Sequence, residues 1–137
     1  MVPDRIERVL DLAHPPAKVW AAITTAEGLG TWFGQQASID LRPGGAGRLT
    51  WPDNSVELRV ERVDEPRVFA FTWPVDGRPG DQRRTYVEFT LEPAGDGTRL
   101  TVVETGFAQF ADDTAYRGNS DGWGRELAEL VEYLDAA

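Results

Sequence analysis

The sequence predicts an α+β domain in which a curved antiparallel β-sheet wraps around a long C-terminal helix. Three observations carry that expectation. About six short stretches between residues 36 and 105 alternate apolar and polar side chains, the period of strands with one buried face. The final segment places Trp123, Leu127, Leu130, Val131 and Leu134 at helical spacing, forming one apolar stripe. Each surface is apolar on one side only, so each needs the cover that the other provides.

The elements follow in order. Ile6, Leu10 and Leu12 share one side of a first strand opposite Glu7, Val9 and Asp11, with Arg8 interrupting the apolar side. His14-Pro15-Pro16 stops that strand, and proline suits the first turn of the helix over Ala17 to Thr25. Val19, Trp20 and Ile23 lie three and four apart and share a face. Thr25 can cap a second short helix, Ala26 to Phe33, which carries Leu29, Trp32 and Phe33. Strands follow at Gln36 to Asp40, Gly47 to Trp51, Ser55 to Val63, Val68 to Trp73, Thr85 to Leu91 and Arg99 to Thr105. Pro74 to Asp81 reads as a Gly- and Pro-rich loop, and Pro93 to Gly97 as a hairpin connection. Asp112 to Ser120 suits helix or loop equally. Gly122 and Gly124 flank Trp123, which predicts a helix that firms up only from about Arg125.

Bulk composition narrows the function classes. A chain of 137 residues suits one domain, 1–137, with one core. Without cysteine there is no disulfide, thiolate metal site or cysteine nucleophile. No run of 18 apolar residues exists to span a membrane. The opening MVPDRIERVLDL lacks the apolar core of a signal peptide, so a cytoplasmic location is expected. A net charge of −9 opposes phosphate backbones and anionic lipid surfaces. The densest basic group, Arg78 with Arg83 and Arg84, is too thin to reverse that. Neither nucleic acid nor membrane is therefore an expected partner.

Four strings resemble a known family: PPAKVWAAITTAEGLGTWFG (15–34), VFAFTW (68–73), VEFTLEPAGDGTRLTVVETGF (87–107) and DGWGRELAELVEYL (121–134). It is the bacterial branch related to the C-terminal domain of the activator of the ninety-kilodalton heat-shock-protein ATPase, within the helix-grip superfamily of START-type and Bet v-like (SRPBCC) proteins. The resemblance implies a helix-grip fold, with two short helices after the first strand and a cavity between the sheet and the C-terminal helix. Such cavities often take apolar ligands. The eukaryotic co-chaperone carries an additional N-terminal domain for which 137 residues leave no room, so the resemblance gives weak grounds for chaperone contact.

Aromatic residues are the leading candidates for a ligand site. Phe71 and Trp73 share a strand face, Phe89 lies on another strand, and Phe107 follows the last one. Trp32 and Phe33 end the second helix, while Trp123 opens the terminal helix ahead of Leu127. A large aromatic removes about 150–250 Å² from water, so plain core packing competes with a ligand role at each position. Trp20 and Ile23 are the most core-like. Trp32, Trp73, Phe107 and Trp123 sit at element ends, where the cavity would open, and indole N–H groups can meet a polar ligand end. Glu104 shares the parity of Leu100 and Val102. It reads as an inward anchor or general base, or as a strand-end carboxylate that escapes to water. Arg8 either pairs inward or reaches solvent.

Other motifs carry less. His14, the single histidine, reads as an exposed loop residue, and one histidine without cysteine leaves no usual transition-metal set. No cofactor or metal is expected. PGGAG (43–47) and GDGTR (95–99) read as turns, lacking phosphate-loop spacing. Glu126, Glu129, Glu132 and Asp135 read as the solvated face of the last helix. The leading function is non-catalytic binding of a hydrophobic small molecule. The alternatives are a protein-interaction or co-chaperone-like module and a cyclase, hydratase or hydrolase type of enzyme using Glu104 or Arg8. A homodimer stays open.

Overall fold

A computed structural model describes residues 2–74 and 83–136. Strand β1 (Arg5–Leu12) leads into helix α1 (Pro16–Thr24) and the short α2 (Ala26–Gly28). A π-helical turn, Leu29–Phe33, follows. Six strands come next: β2 (Gln36–Ile39), β3 (Ala46–Thr50), β4 (Ser55–Asp64), β5 (Val68–Pro74), β6 (Arg84–Ala94) and β7 (Gly97–Thr105). A 3₁₀ turn at Phe107–Gln109 precedes helix α3, Thr114–Ala136. The expected α+β architecture is observed, a curved antiparallel sheet with a long C-terminal helix and short helices after the first strand.

The seven strands lie in the order β1-β7-β6-β5-β4-β3-β2, every neighbouring pair antiparallel. Register aligns the inward rows. Phe69 pairs with Phe89, Phe89 with Val102, and Val102 with Arg8. The next row runs Phe71, Val87, Glu104 and Ile6. In β4 the register slips between Val60 and Arg62, so Val60 faces Phe71 and Val63 faces Phe69. Such a bulge bends its strand and adds twist, which helps the sheet curl. Leu58, Val60, Phe69, Phe71, Leu91, Leu100 and Val102 are all buried. Val19, Trp20 and Ile23 of α1 and Leu127, Leu130 and Leu134 of α3 complete the core.

Local chemistry explains the entry helices. The Thr25 hydroxyl accepts the Gly28 amide at 3.0 Å, the expected cap. A Cβ on Gly28 would collide with the Ala22 carbonyl, so only glycine lets α2 press against α1. That carbonyl also accepts the Trp32 indole N–H at 2.7 Å. The helix expected over Ala26 to Phe33 is thus split, its second part widening into the π turn.

Three expectations need correction. Helix α3 begins at Thr114, not near Arg125. Interior glycines cost helix stability, but here side chains bind this half to the sheet. Arg8 donates to the Ser120 hydroxyl at 2.8 Å and to its carbonyl at 3.2 Å, so Arg8 points inward. His14 is not an open loop side chain: its ring is 16% exposed and meets Asp135 at 2.7 Å. Lys18 lies 3.1 Å from the same ring and donates to the Leu134 carbonyl at 2.8 Å, so these residues bind the end of α3. Finally, Glu126 is half-buried rather than part of a solvated face. The loop expected at Pro74 to Asp81, with Arg78, lies outside the described residues apart from Pro74, which ends β5. Arg83 sits over the Phe110 ring at 4.6 Å, and Arg84 donates to the Thr72 carbonyl at 2.8 Å.

Candidate functional site

Glu104 is the polar centre of the interior. Its position in β7 aims the side chain inward, and the residue is 0% exposed. Among the described residues, the side chains that hydrogen-bond the carboxylate are all neutral. Oε2 accepts from the Thr85 hydroxyl at 2.5 Å, the Trp73 indole at 2.8 Å and the Asn119 amide at 3.0 Å. Oε1 accepts from the Trp123 indole at 2.8 Å and again from Asn119 at 3.1 Å. A carboxylate offers about four lone-pair positions, so this one is saturated. Its chemical effect is to hold β5, β6, β7 and α3 in one arrangement. It also turns two indoles so that their N–H groups point into the protein.

Those indoles border a hollow. A pocket of about 540 Å³, open to solvent, lies between α3 and the β3, β4 and β5 end of the sheet. Phe33 from the π turn, Trp51 after β3, Trp73 from β5 and Trp123 from α3 supply aromatic wall. They pack as one cluster: Phe33 lies 5.5 Å from Trp123, 5.6 Å from Trp73 and 6.1 Å from Trp51, ring centre to ring centre. Pro52, Asp53 and Asn54 of the β3–β4 turn form the rim, with Val56 beside them. The helix side consists of Gly118, Asn119, Gly122, Arg125 and Glu126. Gly118, Gly122 and Glu126 recur every fourth residue and therefore share a face. The two glycines leave the space that larger side chains would fill.

Glu126 differs from Glu104 in every respect. Its Oε2 atom is buried and has no hydrogen-bond partner. Burial, and then the neighbouring Glu129, push its carboxyl up to about 7, while Arg125 acts in the opposite direction. Among the described residues no group of three His, Cys, Asp or Glu could hold a metal ion. No described helix is long and apolar enough to cross a membrane.

Comparison with known proteins is decisive for the family. The family described as activator of Hsp90 ATPase homolog 1-like protein matches residues 13–135. The chain belongs to this family. It has the helix-grip architecture of the family, a ligand-binding fold. Protein MLL2253 from Mesorhizobium loti superposes with a TM-score of 0.86 at 25% identity, covering 97% of this chain and 98% of that one. CalU16 from Micromonospora echinospora gives 0.76 at 25% identity, covering 95% and 75%. The Aha1 dimer from Colwellia psychrerythraea gives 0.80 at 18% identity, covering 98% and 96%. No curated protein matches the sequence.

Within this family architecture the sequence candidates separate. Phe33, Trp73 and Trp123 line the pocket. Glu104 stands behind two of them as their acceptor. Phe71, Phe89 and Leu127 are buried core residues one layer further in, Phe71 and Phe89 touching Trp73 and Trp123 respectively. Trp32 is buried, stacks on Phe33 at 4.7 Å and donates its N–H to Ala22, so it braces the wall from behind. Phe107 is buried against Tyr116, away from the pocket lining. Sequence reasoning missed Trp51, Asn119 and Glu126. The signal available for the helix side was the Gly118, Gly122, Glu126 spacing, hidden by reading the glycines as a broken helix.

Proposed function

We propose that this protein binds a hydrophobic small molecule in the pocket between α3 and the β3–β5 end of the sheet, without catalysing a reaction on it. The observation that carries the reading is the pocket wall. Four aromatic rings border a 540 Å³ space of the size that takes small organic ligands. Desolvating an apolar molecule against these rings is the source of affinity. The buried carboxylate nearest the aromatic wall supports binding over chemistry. Both oxygens of Glu104 are occupied by donors from the protein, so it organises the wall and leaves no lone pair for a substrate proton.

The proposal treats residues 1–137 as one cytoplasmic domain. Homodimer formation and chaperone contact rest on likeness alone and are secondary to it. The test is to purify the protein under native conditions, extract it with organic solvent and identify what is released by mass spectrometry. In parallel, the stripped protein is titrated with the neutral probe N-phenyl-1-naphthylamine. Micromolar binding that weakens about tenfold or more in Gly122→Phe, which fills the pocket, is the expected result. Absence of any extracted molecule together with no probe binding would sink the proposal.

A further inference from the structure

We infer that the pocket is selective for a protonated amine carrying an apolar body, its ammonium group paired with Glu126. The inference rests on the binding function proposed above and specifies the ligand class.

Four features of the wall favour a cation. Glu126 lines the pocket, and its Oε2, sealed from solvent, has no hydrogen-bond partner, so an ammonium group at the wall would offset the charge of a poorly compensated carboxylate. A desolvated carboxylate without a partner is costly, so pairing returns more here than at an exposed site. Second, the indoles of Trp73 and Trp123 have spent their N–H donors on Glu104. What these residues can still offer a ligand is the ring, whose face attracts positive charge. Third, Asp53 of the β3–β4 turn also lines the pocket and, exposed like Arg125, offsets the charge of that residue. Fourth, the chain carries a net charge of −9, which draws cations and repels anions at long range.

Among the described residues, the charged groups near Glu126 are Arg125 and Glu129 on its own helix and Asp53 elsewhere in the pocket lining. Val56 of β4 and Pro74 of β5, which complete the walls, carry none. Arg125 opposes a cation, but it is exposed, where water and salt screen it. The carboxyl of Glu126, pushed up to about 7 by burial, makes the selectivity depend on pH. Above that value the group is anionic and pairs with ammonium. Below it the group is protonated and the charge preference is lost.

The experiment compares 2-phenylethylamine with propylbenzene, which replaces the ammonium by a methyl group of similar size. Binding to the stripped protein is measured by calorimetry or ligand-observed NMR at pH 8 and pH 5.5. The amine is expected to bind about tenfold or more tightly than propylbenzene at pH 8, the scale of a partly desolvated ion contact. That advantage shrinks at pH 5.5, and Glu126→Gln removes it at pH 8. Equal binding of the two compounds at pH 8, or an amine preference that survives in Glu126→Gln, overturns the inference. If propylbenzene binds without an amine advantage, only the amine selectivity falls. If neither compound binds while N-phenyl-1-naphthylamine does, the amine inference falls and the binding function stands; if N-phenyl-1-naphthylamine also fails to bind and nothing is extracted, both fall. Should Glu126→Gln fail to fold, the two pH values in the unaltered protein still decide the outcome.

Discussion

The two halves of helix α3 meet the same sheet and do opposite things. From Leu127 onward the helix buries Leu127, Leu130 and Leu134 in the core, and a smaller hollow of about 330 Å³ touches it beside Val131 and Asp135. From Gly118 to Glu126 it borders a hollow. Backbone geometry is shared, so side-chain size makes the difference. A Cβ at Gly118 would meet nothing within 4 Å, and one at Gly122 would meet only Arg125 at 3.9 Å. At the closed end van der Waals contact and burial do most of the holding, with His14 and Lys18 adding polar contacts at the last turn. At the open end the attachment is polar: Arg8 to Ser120, and Asn119 and Trp123 to Glu104. A helix that must both seal a core and border a cavity can divide the tasks along its length, using leucines for one and hydrogen bonds for the other.

The strongest way to break this comparison is to hollow the closed end. Leu130 is 0% exposed, and Leu130→Ala is expected to cost about 2–5 kcal/mol in urea unfolding, as for large-to-small changes in packed cores. The open end should fail for a different reason. Glu104→Gln keeps the volume but turns an amide N–H₂ towards indole, hydroxyl and amide donors that need an acceptor. We expect a loss of about 2–3 kcal/mol, with tryptophan emission altered because Trp73 and Trp123 lose their common partner. If Glu104→Gln were neutral, the polar attachment would contribute nothing and packing alone would hold both halves.

How far the sequence reveals this division depends on which force operates. The closed end was legible because burial leaves a periodic trace, as in Leu127, Leu130 and Leu134 at helical spacing. The same holds for the strands, where parity grouped Phe71 with Trp73 on one face, while for Glu104 it left an inward carboxylate and one escaping to water both open. The open end was less legible for two reasons. Glycine at 118, 122 and 124 carries an unfavourable helix propensity, and tertiary hydrogen bonds that override it have no local signature. Trp51 follows a short strand, and its wall position depends on how the β3–β4 turn folds over the pocket. Glu126 looked like its exposed neighbours Arg125 and Glu129 because a charged side chain leaves no apolar trace of the face it occupies. Trp32 and Phe107 were misjudged in the other direction. An end-of-element position suggested a cavity mouth, yet the Ala22 carbonyl captures the Trp32 N–H and Tyr116 covers Phe107.

A milder change sharpens the comparison by separating helix stability from cavity function. Gly122→Ala adds one methyl group where space is free. Helix propensity predicts a gain of up to about 1 kcal/mol in unfolding free energy. The same methyl narrows the pocket, so affinity for N-phenyl-1-naphthylamine should fall while stability rises. Opposite signs in the two measurements would show that the glycine is kept for the hollow and not for the fold.

The smallest expected effect concerns the unpaired carboxylate at the open end. The Glu126 carboxyl has the ordinary value of about 4.5 in the unfolded chain, and burial pushes it up to about 7 in the folded protein. A raised folded value means that the native state holds the proton more tightly than the unfolded state. Between these two values the unfolded state binds fewer protons, so this group makes unfolding easier as pH rises. Glu126→Gln removes that dependence. Compared with the unaltered protein, the variant should be more stable at pH 8 by a few tenths to about 1 kcal/mol, allowing for solvent screening of a half-buried group, and nearly equal at pH 4.5. Urea unfolding of both proteins across that range measures the difference directly. A saturating amine ligand should narrow the gap at pH 8, because it supplies to Glu126 the partner that the protein itself gives only to Glu104.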